Sequence, residues 1–227
     1  MSRPICVALS LLLLASACAS SHEERAAGKN TAAKADDGFV ALFNGRDLTG
    51  WTYGAKAGEG YRVRDGGILY CTVHDGGNLF TEKQYADFVM RFAFKLTPGA
   101  NNGVAIRSPL KGKLAYDGIE IQILDDTAEK YAKIRPAQFH GSIYDTVAAE
   151  RGHLKPVGEW NEQEITAKGS RITIKLNGSI IVDADLANVT DEKILARHPG
   201  LKNKTGHLGF LGHGAEIEFR DIRIKAL

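Results

Sequence analysis

The sequence predicts an all-β protein, a two-sheet antiparallel sandwich or jelly roll, on three observations. Apolar residues recur with a period of two in run after run, the spacing of strands that bury one face. Asn177-Gly178 separates two such runs, and Asn-Gly is the strongest short-range hairpin signal because both central turn residues need positive φ. The 227 residues include 25 glycines and only 6 prolines, a balance suited to many tight turns and too poor in proline for a disordered linker protein.

From the N-terminus, Arg3 precedes an apolar stretch, residues 5–17, too short to span a bilayer. It closes on Ala15-Ser16-Ala17, a small-x-small pattern that a signal peptidase accepts. Residues 1–17 are therefore expected to be a signal peptide, and the protein to be exported, periplasmic or held at a bacterial membrane. Cys18 follows directly, and two routes fit: free secretion, or a lipoprotein signal in which the Cys18 thiol takes a lipid anchor. Cysteine usage favours the second. Cys6 leaves with the signal, Cys18 heads a polar stretch and Cys71 lies in a strand-like run, so a bond between the last two is geometrically unattractive. Residues 18–37, rich in Ala, Ser, Lys and Glu, read as a flexible tether, and the domain is expected over 38–227.

Within the domain, residues 88–96 form a long apolar-rich strand. Shorter strands are expected at 62–63, 68–72, 103–107, 118–124, 162–166 and 207–211, with the Asn-Gly hairpin joining 171–176 to 179–183. The last strand alternates through Ile217 and Phe219, then changes phase to Ile222 and Ile224, which predicts a β-bulge near Arg220-Asp221. Helical spacing is weak; 127–133 and 192–197 are the two short candidates. The formal net charge of +2 carries no electrostatic footprint for nucleic acid. Several aromatics sit beside Gly and Asn, as sugar-binding surfaces often place them.

The most informative segment is Gly118-Ile119-Glu120-Ile121-Gln122-Ile123-Leu124-Asp125. If the three isoleucines face a core, Glu120 and Gln122 project together from the opposite face, with Asp125 at the strand end. An acid and an amide on one rigid strand can bind sugar hydroxyls, hold a metal or take a proton; the bland alternative is a solvated strand face. Asn102 and Arg107 flank the short strand of Asn101-Asn102-Gly103-Val104-Ala105-Ile106-Arg107, where Arg107 can donate paired hydrogen bonds to a ligand or stand as a surface charge. His140, in Phe139-His140-Gly141, and His213, in Gly212-His213-Gly214, are the histidines placed to act near neutral pH, although no metal-ligand spacing joins them. Trp160, in Gly158-Glu159-Trp160-Asn161, can stack on a pyranose or pack in the core.

Together these segments resemble one family, the 3-keto-disaccharide hydrolase domain. Phe39 to Trp51 is similar to its opening "LFNGKDLSGW", 102–107 to its "NSGIFLR" and 118–125 to its "GxEvQvlD". Glu159-Trp160-Asn161, Asn177-Gly178 and the ending from His207 to Lys225 match later landmarks. The resemblance implies a concanavalin A-like jelly roll acting on sugars outside the cytoplasm. It implies cleavage of glycosides already oxidised to a ketone at C3, by proton removal at C2, elimination at C1 and re-addition of water. Carried over, Glu120 becomes the base or a metal ligand and His213 its acid–base partner or second ligand. Asn102, Arg107, Gln122, Asp125 and Trp160 become substrate-orienting residues, and His140 lies where the family continues toward "GaiY". A divalent metal on Glu120 and His213 is left open, as is oligomeric state. One departure stands out: Phe210-Leu211-Gly212-His213 replaces the family's "LQdH", which bears on substrate choice or on catalysis itself.

Two other readings compete. A non-catalytic carbohydrate-binding module would use the same sandwich. A retaining glucanase would need paired carboxylates about 5–5.5 Å apart, and Gln122 and Asp125 stand where a Glu-x-Asp-x-x-Glu pattern requires Asp and Glu, which argues against it.

Overall fold

A computed structural model describes Met1 and residues 38–54, 60–72 and 76–227; the rest of the expected signal peptide, the tether and Cys18 lie outside the described residues. In chain order the strands are β1 (Val40–Ala41), β2 (Trp51–Tyr53), β3 (Tyr61–Arg64), β4 (Ile68–Cys71), β5 (Asn78–Tyr85), β6 (Phe88–Leu96), β7 (Asn101–Ser108) and β8 (Ile119–Leu124). They continue as β9 (Trp160–Lys168), β10 (Arg171–Leu176), β11 (Ser179–Asp185), β12 (Gly206–Gly212) and β13 (Ile217–Ala226). Two short helices, α1 (Leu114–Asp117) and α2 (Glu192–Arg197), lie between strands.

Among the described residues the strands form two antiparallel sheets. One has eight strands in the order β11-β10-β9-β6-β13-β4-β3, with β1 added on β13; the other has five, β2-β5-β12-β7-β8. The main core lies between them, and alternation supplies it from both sides. Phe88, Met90, Phe92, Phe94 and Leu96 of β6 face Val104, Ile106, Ile119, Ile121, Ile123 and Phe210 of the smaller sheet. Phe210 is its hub, 4.2 Å from Phe219 and 5.9 Å from Trp51 by ring centroids. Full burial of each large apolar side chain contributes about 1.5–3 kcal/mol. The all-β sandwich expected from the sequence is the fold found.

Local signals act where expected. Asn177 and Gly178 take φ of 50° and 90°, the positive pair that a tight hairpin demands. The β13–β6 register shifts between Arg220 and Arg223, with Asp221 at φ 54°, so Ile217, Phe219, Ile222 and Ile224 all reach the core. Residues 192–197 form α2, capped by the Asp191 carboxylate accepting from the Lys193 and Ile194 amides. The other helix candidate shrinks to one 3-10 turn, Glu129–Tyr131. Here Asp125 accepts from both the amide and hydroxyl of Thr127, a side-chain turn that competes with helix initiation.

β5 lacked an alternation signal for a physical reason. Leu79 enters the main core, whereas Phe80, on the opposite face, is buried in a second small core with Ala105, Leu114, Leu211 and Leu110. Residues 109–117, including α1, thus lie across the outer face of the five-stranded sheet. That covered face carries the site.

Candidate active site on the outer face of the five-stranded sheet

Ile119, Ile121 and Ile123 fill the core, so Glu120 and Gln122 stand on the outer face, each less than 5 % exposed. Across the sheet, Gly103 pairs with Gln122 and Ala105 with Glu120. Gly103 is glycine because the Glu120 carboxylate occupies the space of a side chain: a Cβ there would lie 2.0 Å from Glu120 Oε1. Gln122 donates from Nε2 to Asn101 Oδ1 at 2.9 Å. Glu120 Oε1 is buried and accepts no hydrogen bond. Its neighbour is His213, with Nε2 3.6 Å away, beyond hydrogen-bond range, and a side chain 46 % exposed. A buried charged oxygen without a partner is costly for the fold. It is also free to accept from something that enters.

Two tyrosines wall this spot. Residues 141–144 run antiparallel beside β8: Gln122 N donates to Ser142 O, Gly141 N to Gln122 O and Tyr144 N to Glu120 O, with Ile121 opposite Ile143. Ile143 takes the core face, so Tyr144 shares the outer face with Glu120. Its hydroxyl accepts from Gln138 Nε2 at 3.2 Å, and burial, helped by the charges of Asp145 and Glu120, pushes its pKa up. Tyr116 of α1 stands 6.4 Å from Tyr144 by ring centroids. A cavity of about 440 Å³ opens here, with Tyr116, Leu114, Leu211, Lys111, Lys113 and His213 among its walls. An imidazole and a phenol line this cavity, and the Glu120 carboxylate stands 3.6 Å behind the imidazole; together they are the parts for moving protons on a polar ligand.

Residues 38–225 match the family described as the 3-keto-alpha-glucoside-1,2-lyase-like domain. The chain belongs to that family. A 3-keto-disaccharide hydrolase of Bacteroides thetaiotaomicron is 25% identical over 229 residues, covering 84% of this chain and 79% of the relative. Two crystal structures of candidate glycosyl hydrolases from Parabacteroides distasonis share the fold. One has a TM-score of 0.73 at 27% identity, covering 83% of this chain and 99% of the other. The second has a TM-score of 0.69 at 25% identity, covering 84% and 94%. These likenesses make the chain a carbohydrate-active protein.

In this 3-keto-alpha-glucoside-1,2-lyase-like domain, Glu120, Gln122 and His213 are brought together and the remaining sequence candidates are not. Asn102 lies in the interior, donating from Nδ2 to the Tyr61 hydroxyl at 3.1 Å. Asp125 ties its own turn, accepting from Gly99 and Thr127. Trp160 sits on the outer face of the eight-stranded sheet, 4.0 Å beneath the Arg220 guanidinium. Arg107, at φ 48°, donates to Ala86 O, Gly169 O, Asn203 O and Asp87 Oδ1, so its guanidinium is spent on the fold.

His140 is buried between the sheets, stacked on Phe94 at 5.1 Å, with Nδ1 accepting from the Leu124 amide. Burial pulls its pKa down to about 3, which removes it from acid–base work near neutrality. Cys71 is buried and free, its thiol pushed up to about 11 by burial, an inert core residue. Among the described residues no group of three or more His, Cys, Asp or Glu side chains is placed to hold a metal; Glu120 and His213 stand as a pair.

Tyr116, Tyr144, Lys111 and Lys113 escaped the sequence reading. Tyr144 joins the site only through the pairing of 141–144 with β8, and the other three through the fold-over of 109–117. Neither long-range contact leaves a local pattern.

Proposed function

We propose that the chain is an exported enzyme that cleaves 3-keto-glycosides by abstraction of the C2 proton and elimination at C1. The observation that carries this reading is Glu120: a carboxylate on the outer face of β8 whose Oε1 is buried, accepts no hydrogen bond and lies 3.6 Å from a half-exposed imidazole. The names of the family and of the Bacteroides relative supply the substrate class.

A C3 ketone acidifies the neighbouring C2–H bond. Glu120 takes that proton, and the C–H electron pair becomes the C2=C3 bond while the carbonyl pair moves onto the C3 oxygen. When the enolate collapses, the C1–O bond breaks, and the departing oxygen receives a proton from His213 acting as the general acid. Water then adds across the C1=C2 bond, with its oxygen at C1 and a proton returned to C2, giving the free 3-keto sugar. Lys111 and Lys113 on the cavity wall favour the developing negative charge. The Arg3 and 5–17 pattern supports export, and Cys18 is the position a lipid anchor would take.

The test is incubation of the purified domain with a 3-keto-disaccharide and, in parallel, with the unoxidised sugar. Release of a 3-keto monosaccharide or its unsaturated precursor from the first alone is the expected result. Cleavage of the unoxidised sugar, or of neither, would end the reading.

A further inference from the structure

We infer that Tyr116 is a catalytic residue, the hydrogen-bond donor to the enolate oxygen that forms at C3. The inference rests on the elimination chemistry just proposed and adds the electrophile that this chemistry lacked. Proton removal beside a ketone leaves a full negative charge on the ketone oxygen, and that charge needs a fixed donor.

Tyr116 has the geometry of such a donor. It lines the same cavity as His213, the residue that reaches Glu120. Its hydroxyl oxygen accepts a hydrogen bond from Arg197 Nη2 at 3.2 Å, and among the described residues none accepts the hydroxyl proton in return. A phenol that accepts from a cation while its own proton is unclaimed is a strengthened donor, because each hydrogen bond polarises the next. Tyr144 is the alternative phenol, but its hydroxyl accepts from the neutral Gln138 amide rather than from a cation.

The surroundings fix Tyr116 rather than leave it free. Its ring packs against His198 at 4.9 Å and edge-on to Tyr144 at 6.4 Å. Arg197 is held by Asp145 Oδ2 at 3.0 Å, and the same oxygen takes Arg135 at 2.5 Å. The Asp145 side chain is only 2% exposed, and its backbone holds φ 56°, a conformation rare for a non-glycine residue. Arg197 is thus a positioning residue for the phenol, and its guanidinium lies 5.3 Å from the ring centroid as well.

During the step Tyr116 keeps its proton covalently. The C2 proton passes to Glu120, the C–H pair becomes the C2=C3 bond, the carbonyl pair moves onto the C3 oxygen, and the Tyr116 O–H shortens its hydrogen bond to that oxygen. No oxidant or further reactant is required.

The decisive experiment measures kcat, KM and C2 deuterium incorporation from D2O with methyl 3-keto-glucoside, for wild type, Tyr116→Phe, Arg197→Met and Arg197→Lys. Thermal melts check that each variant folds. Loss of one such donor is expected to lower kcat by about 10²–10³-fold, slow C2 exchange in parallel and leave KM within about threefold. Arg197→Met should give a smaller loss of kcat, partly restored in Arg197→Lys. Tyr116→Phe with kcat within threefold of wild type overturns the inference and leaves the elimination reading standing. So does a rise in KM alone, which would mean uniform binding. A folded wild type with neither turnover nor C2 exchange removes both.

Discussion

Arg107 and Glu120 are charged side chains on adjacent strands of one sheet, both almost wholly buried. Arg107 donates to three backbone carbonyls and one carboxylate, joining residues 86–87, 169 and 203. Glu120 has one oxygen that accepts no hydrogen bond, with His213 3.6 Å away, and a glycine opposite that only makes room for it. Burying a charge is expensive in either place. At Arg107 the expense is offset within the protein, which marks a residue of the fold. At Glu120 only His213, beyond hydrogen-bond range, stands near, which is what the proposed reading expects of a residue that meets its partner from outside. The sequence presents both as polar residues in strand motifs; the difference lies in how their hydrogen bonds are filled.

The largest test of this contrast is Glu120→Gln. The amide keeps the size and loses the base, so turnover of a 3-keto-disaccharide should fall by about 10²–10⁴-fold, the usual contribution of a positioned general base. Stability should hold or rise, since an amide is cheaper to bury than an unpartnered carboxylate. Retained turnover, or a fold weakened by several degrees in a melt, would erase the distinction. Arg107→Ala is the mirror case. Removing it leaves three carbonyls short of a donor and Asp87 with only the Gly169 amide, an expected loss of about 3 kcal/mol in urea unfolding. Turnover per folded molecule should stay the same. A stable Arg107→Ala protein with a raised KM would return Arg107 to the substrate.

Gly103→Ala probes the space rather than the charge. The new Cβ would sit 2.0 Å from Glu120 Oε1, 2.7 Å from Cδ and 2.8 Å from Cγ, so the whole side chain must move and not just its tip. Overpacking of this kind costs about 1–3 kcal/mol, and an ångström of misplacement can lower turnover about 100-fold. Unchanged turnover in a folded Gly103→Ala protein would mean that the carboxylate position observed is not the working one.

How far these distinctions were legible in sequence depends on their range. The Asn177-Gly178 turn, the Arg220-Asp221 bulge and the isoleucine alternation around Glu120 are set within a few residues, and all three read correctly. The pairing of Glu120 with His213 followed from family resemblance rather than from spacing, because 93 positions separate the two residues and only sheet order joins them. Arg107 misled for a related reason: an Arg at a strand end looks the same whether carbonyls from 86, 169 and 203 wait for it or a ligand does. Phe80 hid β5 because a second core, assembled from 105, 110, 114 and 211, buries the face that alternation expects to be polar.

His140 sharpens the comparison from a third position, with the smallest effect. Like Glu120, it has a buried atom that makes no well-formed hydrogen bond, Nε2, with the Gln163 side chain beside it; unlike Glu120, it sits between the sheets against Phe94, remote from solvent. An idle polar atom therefore marks a site only where a ligand can reach it, and at His140 the consequence should be stability alone. Nδ1 accepts from the Leu124 amide, so the ring must be neutral with its proton on Nε2, and a second proton would break that bond. With the folded pKa near 3 against 6.5 unfolded, the unfolded chain binds more protons across that interval. Stability is thus fully present above pH 6.5 and is lost as pH falls, by at most about 1.4 kcal/mol per pH unit. His198, lowered by burial in the same direction, remains in both proteins of the comparison. Urea unfolding of wild type and His140→Gln between pH 7 and pH 4.5 should give a flatter profile for the variant, with turnover at pH 7 retained in proportion to folded protein. Parallel profiles would mean that protonation of this ring is tolerated in the folded state, and a specific loss of turnover would move His140 from the core to the reaction.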